Sequence, residues 1–250
     1  MTENRSLELF FELFSDLPRQ GPGNAESTLR AFALVPPLDS SSRILDLGCG
    51  SGAQTLALAA VTPAQILAID SHSPVIARLN ETARTLGLAD QIHGRIGDMA
   101  APDVPPGSVD LIWAEGSIYN IGFERGLASF LPLLKPGGHV AVTEACWLTP
   151  DPPAPCREFW NAEYPAITEV DACLEKIRAC GYSLVGHFTL PSASWWADYY
   201  GPLQAAIDQF RLKYLGDGEA LAVADALQRE IDIWREYRDC YGYVFFVMRR

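Results

Sequence analysis

The chain has 250 residues, 48 % of them hydrophobic and 20 % charged, with a formal net charge of −12. Those numbers describe an ordinary globular protein, long enough for one α/β domain with an added cap. The acidic balance, with no cluster of Lys and Arg, argues against nucleic acid or an anionic membrane surface as partner, since phosphate attracts basic surfaces.

The N-terminus lacks a basic region followed by an apolar core, so no signal peptide is expected. No run approaches the ~18 apolar residues of a membrane span. The six cysteines (Cys49, Cys146, Cys156, Cys173, Cys180 and Cys240) are scattered, without a C-x-x-C pair. That usage fits reduced thiols of a cytoplasmic protein better than disulfides or zinc, and no metal site is expected.

Residues 4–17 put Leu7, Phe10, Phe11, Phe14 and Leu17 on one helical face, packed on the core edge or covering a cleft. Pro18–Gly23 is a turn, after which Asn24 caps a second helix running to about Val35. Pro36 and Pro37 stop it. Arg43–Leu47 is the first strand, and Gly48, Gly50 and Gly52 lead into a helix from about Gly52 to Val61. Gln65–Ile69 is the second strand and ends in Asp70. Ser73, as cap, and Pro74 start the next helix, with Val75, Ile76, Leu79, Ala83 and Leu86 as its apolar face. Gln91–Ile96, Val109–Trp113 and His139–Glu144 are further strands, with a helix over Phe123–Leu134. The proline-rich stretch Trp147–Cys156 is a stiff loop. A helix over Ala172–Cys180 and a sixth strand over Tyr182–Thr189 follow. Ser194–Tyr237 is helical and rich in aromatics, and Gly242–Met248 is a seventh strand.

Strands alternating with helices imply a parallel sheet covered on both faces, with its ligand at the carboxyl ends of the strands. The glycine turn allows backbone angles that a Cβ forbids and lets the main chain approach a ligand. Gly48-x-Gly50-x-x-Ala53, with Asp70 about 20 residues on, also fits a dinucleotide fingerprint. Asp46 separates the two readings: a carboxylate at the strand end repels a pyrophosphate and attracts a cationic sulfonium or ammonium group.

The string L-D-L-G-C-G-S-G over Leu45–Gly52 resembles the first motif of class I S-adenosylmethionine-dependent methyltransferases. The resemblance covers roughly residues 40–145 and the two terminal strands. It implies a Rossmann-like, seven-stranded, mostly parallel α/β sheet with helices on both faces and a helical cap. The last strand would lie antiparallel between the fifth and sixth. It divides one domain into N-terminal lid helices (1–38), a core (39–190), a cap insertion (191–241) and the last strand (242–250). E-G-S-I-Y-N-I-G-F-E-R-G after the fourth strand, and P-R-Q-G-P-G-N near the N-terminus, are similar to a small-molecule subset of type 11/25.

The cofactor implied is S-adenosylmethionine, leaving S-adenosylhomocysteine as product. Asp46, Gly48, Gly50 and Gly52 would organise it. Asp70, with the adjacent Ser71, would take the ribose hydroxyls, which suits a bidentate carboxylate. Asp98 and the backbone N–H of Met99 would hold the adenine, and Arg19 is a candidate for the carboxylate. Tyr119, with Glu115 as proton sink, is the catalytic candidate, and His187 a reserve base. Trp195, Trp196, Tyr199 and Tyr200 either pack the cap or line the acceptor site. The implied function is methyl transfer to a small molecule, whose identity and methylated atom the sequence does not reveal. The alternatives are a dinucleotide-dependent oxidoreductase or a non-catalytic S-adenosylmethionine-binding protein, and a homodimer is compatible with the chain.

Overall fold

The structure is a computed structural model that describes residues 2–250, with side chains from residue 5 onward. The chain begins with helices α1 (Thr2–Phe14) and α2 (Ala25–Phe32), the second capped by the Asn24 side-chain Oδ1 accepting from Ser27 N–H at 2.8 Å. Then come β1 (Arg43–Leu47), α3 (Ala53–Ala59), β2 (Gln65–Asp70), α4 (Ser73–Thr85), β3 (Ile92–Ile96) and β4 (Val109–Ala114). A short 3-10 turn, Ile118–Asn120, precedes α5 (Phe123–Phe130) and β5 (Leu134–Trp147). The chain continues through α6 (Ala154–Glu163), β6 (Thr168–Glu169), α7 (Val170–Ala179) and β7 (Ser183–Thr189). Last are α8 (Ala193–Trp195), a π-helical turn (Trp196–Tyr200), α9 (Gly201–Lys213), α10 (Gly218–Tyr237) and β8 (Tyr241–Arg249).

The sheet order is β3-β2-β1-β4-β5-β8-β7, with the two-residue β6 paired on β5. All neighbours run parallel except β8, which is antiparallel to both β5 and β7. The seven-stranded, mostly parallel sheet expected from the sequence is present, with β6 as a small addition. β1 reads as a continuous apolar run because both its faces are covered: Ile44, Leu45 and Leu47 are all buried. One face of the sheet packs Leu45, Ile112 and Val142 under α5 and α7. The other packs Ile44, Trp113 and Ala141 into a core continuous with α3, α4, α9 and α10.

Three local expectations change. The expected proline loop ends early, at Pro153: helix α6 already includes its last three residues, because Pro155 stands in the first turn, where the missing N–H has no helical acceptor to lose. In α1, Leu9 and Leu13 are buried while Leu7 and Phe10 are exposed, so the apolar face is rotated from the expected one. Ser73 does not cap α4: its N-cap is His72, with no side-chain bond, and the Asp70 carboxylate takes the His72 N–H at 2.9 Å.

Helix α1 is fastened to the C-terminal helices. Arg5 donates to Asp217 and Glu219, and Lys213 and Tyr214 both donate to Glu12 at 2.8 Å. Among the described residues no helix is long and apolar enough to cross a membrane.

Candidate active site

The carboxyl ends of β1, β2 and β4 converge on the turn Gly48–Gly52. Gly48 has φ +71°, and a Cβ on it would lie 2.4 Å from Ser117 Cβ. Gly50 has φ +53°, and a Cβ there would lie 2.5 Å from Gln20 Oε1. Both positions therefore favour glycine on conformation, and at Gly48 the close approach of the Ser117 Cβ adds a demand of space. The Gly50 N–H donates to Asp70 Oδ2 at 2.9 Å, and the Ser51 N–H to Gln20 Oε1 at 3.0 Å.

Asp46 lies behind this turn, fully buried. It accepts from Thr55 Oγ1 at 2.5 Å and Gln54 Nε2 at 3.3 Å. Burial pushes its carboxyl up to about 7 against the pull of these two bonds, with the charges of Glu115 and Asp70 adding to the rise. It does not line the cleft; it fixes Gln54, which does.

The cleft is a cavity of about 170 Å³ walled by Gly48, Gly50, Gln54, Asp70, Ser117 and Tyr119, and closed from the N-terminal side by Arg19–Pro22. Arg19 and Glu115 form a buried ion pair, and Thr28 Oγ1 and Trp113 Nε1 donate to the same carboxylate at 2.9 Å and 3.0 Å. Both Glu115 oxygens are thus occupied by the anchoring of residues 19–28. Ser71 and Asp98 are exposed, Asp98 accepting from Ala100 N–H at 2.8 Å. Met99 is half-buried, its sulfur 3.8 Å from where a Gly48 Cβ would stand. His187 is exposed on β7 against the Phe246 ring, away from the cleft.

Tyr119 stands where the cleft opens into a second cavity of about 270 Å³. It is 40 % exposed and lines both cavities. Enclosure by protein raises its hydroxyl above the usual tyrosine range, and the charges of Glu230 and Glu144 add to the rise. The second cavity is walled by Phe14, Trp160, Tyr164, Trp195, Tyr199 and Tyr243 among others. Of the four cap aromatics, Trp195 and Tyr199 therefore line it. Tyr200 is buried beside it and donates to Glu230 at 2.8 Å, and Trp196 is exposed, stacked on Trp234.

Two polar features of this region were not anticipated. Tyr164 donates its hydroxyl hydrogen to Glu144, which is 2 % exposed and has no partner for its second oxygen. Burial pushes the Glu144 carboxyl up to about 7, opposed by the Tyr164 bond and the Lys176 charge. Glu163 and Glu230 line both the second cavity and a wider opening to the surface between α1, α6 and α10. Two of these residues lie on or just after α6, the helix that prolines concealed. Glu230 falls in a charged helical stretch where nothing in the sequence separates a cavity carboxylate from a solvated one. Among the described residues, no group of three or more His, Cys, Asp or Glu could hold a metal.

Residues 44–138 match the family described as a methyltransferase domain. Phosphoethanolamine N-methyltransferase 1 of Arabidopsis thaliana is 25 % identical over 162 residues, which is 64 % of this chain and 32 % of that protein. The chain spans about a quarter to a half of the length of the curated relatives it matches. YjhP of E. coli shares the fold with a TM-score of 0.83 at 21 % identity, over 97 % of this chain and 99 % of that one. A methyltransferase of Thiobacillus denitrificans, solved with S-adenosylhomocysteine, superposes with a TM-score of 0.82 at 22 % identity, over 95 % and 96 % of the two chains. At such identities the solved structures speak for the fold, and the family match speaks for residues 44–138, which carry a methyltransferase domain.

Proposed function

We propose that the protein transfers a methyl group from S-adenosylmethionine to a small-molecule acceptor. One observation carries the reading: the cleft at the glycine turn opens, at Tyr119, into a second cavity sunk between the sheet and the C-terminal helices. A donor and an acceptor can thus meet at one residue, and a cavity of this size excludes a folded macromolecule.

The residues fit the cofactor. Gly48 and Gly50 form a cradle that a Cβ would fill, and Asp70 faces the cleft, positioned by its bonds to Gly50 and His72. Asp70 would accept from the ribose hydroxyls, and Asp98 with the Met99 N–H would serve the adenine. Asp46 would act through Gln54 and Thr55, and Gly52 and Ser71 would contribute backbone and edge. Arg19 belongs with the segment that closes the cleft, since its guanidinium is held by Glu115. The bound cofactor supplies an electrophilic methyl on sulfonium, whose departure needs no proton. The protein's share is alignment, exclusion of water and removal of a proton from the acceptor. Tyr119 would hydrogen-bond the reacting atom.

The same reading makes residues 1–38 a lid and 191–241 a cap, supported by the ties of α1 to Asp217, Glu219 and Lys213. It puts the protein in the cytoplasm, where its free cysteines stay reduced. The net charge of −12 speaks against a nucleic-acid partner.

The test is thermal unfolding with S-adenosylhomocysteine and, separately, with NAD, followed by a metabolite screen with a labelled methyl donor. Stabilisation by S-adenosylhomocysteine and label in a small molecule are expected. Stabilisation by NAD alone would overturn the reading, and binding without transfer to any metabolite would make the protein a binder only.

A further inference from the structure

The second cavity is more than an apolar chamber. Its rings come from four separate stretches: Phe14 at the end of α1, Trp160 and Tyr164 around α6, Trp195 and Tyr199 before α9, and Tyr243 on β8. At its neck, where it meets the wider opening of about 570 Å³, stand the carboxylates of Glu163 and Glu230. Neither forms an ion pair among the described residues, and no Lys or Arg lines either space. Glu163 makes no hydrogen bond there. Glu230 accepts from Tyr200 and lines the cavity with Tyr199 and Tyr243, and its negative charge is felt by the hydroxyls of Tyr119, Tyr199, Tyr241 and Tyr243.

Glu230 is half-buried and Glu163 exposed at the rim, and nothing cationic stands against either carboxylate. Burial and the nearby charge of Glu163 both hold the Glu230 carboxyl above its usual range. The arrangement lacks one component, a positive charge brought from outside. Ring faces attract a cation through their quadrupole, and a carboxylate at the neck gives it a direct partner. A carboxylate or phosphate entering here meets the opposite: two like charges and no basic side chain.

Resting on the methyltransferase reading above, we propose that the acceptor is an amine with an apolar or aromatic body, which enters as an ammonium ion, is held by Glu230 and Glu163, and is methylated on nitrogen. The ammonium leaves one proton on the Glu230 carboxylate. The freed nitrogen lone pair forms the new N–C bond, and the S–CH3 bond breaks with its electron pair kept by sulfur. The products are the N-methylated ammonium ion and S-adenosylhomocysteine. Tyr119, beside the cleft and within the field of Glu230, would orient the nitrogen.

The experiment uses the full chain saturated with S-adenosylhomocysteine and three probes of matched shape: 2-phenylethylamine, 2-phenylethanol and 3-phenylpropionate. Melting temperature and calorimetry read binding. Labelled S-adenosylmethionine then reads methyl transfer to each. The amine alone is expected to raise the melting temperature, and Glu230→Gln is expected to weaken its binding at least tenfold. That variant should leave S-adenosylhomocysteine affinity within about twofold. Glu163→Gln, at the exposed rim, is the second variant and should weaken the amine by a smaller factor. Equal binding of the alcohol, binding of the carboxylate, or no amine-specific binding would overturn the proposal. Wild-type amine binding by Glu230→Gln would overturn it too. Failure of S-adenosylhomocysteine itself to bind would instead strike the methyltransferase reading, so the two can fail separately.

Discussion

Arg19 and Glu115 lie 96 residues apart in sequence and form an ion pair whose side chains are 8 % and 0 % exposed. This pair joins the N-terminal segment to the end of β4. Glu115→Gln leaves the guanidinium buried without its partner, which costs about 3–5 kcal/mol. The variant should unfold at lower urea and bind S-adenosylhomocysteine more weakly, since Arg19–Pro22 close the cleft. The double variant Arg19→Met/Glu115→Gln should recover most of the stability. A double variant as unstable as the single one would show that the two residues are not coupled.

Asp70 carries two duties. Its oxygens hold the N–H groups of Gly50 and His72, and its free lone pairs face the cleft. Asp70→Ala should therefore weaken S-adenosylhomocysteine at least tenfold and also cost about 1–3 kcal/mol of stability by leaving two donors unmet. Calorimetry and denaturant melts check the two effects separately. Unchanged affinity in a folded variant would remove Asp70 from the ribose site.

The Glu144 carboxyl gives a pH test with a definite sign. Its folded value is about 7, against an ordinary 4.5, because it is buried. Between these values the folded state binds more proton than the unfolded state, so stability falls as pH rises from about 4.5 to about 7. At pH 8 the accumulated loss is on the order of 3 kcal/mol. Glu144→Gln should be more stable than the wild type at pH 8 and close to it at pH 4.5. Melts at the two pH values decide this, and a difference independent of pH would refute it.

Tyr119→Phe keeps the ring that meets Tyr164 edge-on at 6.0 Å and deletes only the hydroxyl. With an acceptor in hand, turnover should fall ten- to a hundredfold while cofactor affinity stays within about twofold. Wild-type turnover would leave Tyr119 as packing and shift attention to Tyr164, which lines the same cavity.

The core of the fold was legible because its strands carry their pattern locally. The runs at β1 and β2 and the glycine turn need no tertiary context to be read. The cavity was less legible, for identifiable reasons. Leu7 and Phe10 lie on an apolar stripe, and a stripe reads the same whether it faces a core or a cavity. Pro152, Pro153 and Pro155 hid α6, although a proline in a first helical turn costs little. Helix α4 starts at Ser73 with no side-chain cap, and the nearby Asp70 carboxylate takes the N–H of the N-cap residue His72, since composition does not say which of two nearby oxygens reaches which N–H. Glu115 stands at the strand end where the motif placed it, but its partners come from residues 19 and 28, and no local pattern announces so distant a pairing.

The antiparallel strand β8 bears on how the molecule is made. It lies between β5 and β7, pairing along Trp147 to His139 on one side and Thr189 to Ser183 on the other. Every other strand emerges earlier from the ribosome, so β5 and β7 must wait with facing edges unpaired until Tyr241–Arg249 has been synthesised. The waiting edge of β5 is apolar through Val140 and Val142, the sort of surface that recruits a foreign strand. Completion of the sheet is therefore a late and non-local step, and the interval before it is when the nascent chain is most exposed to aggregation.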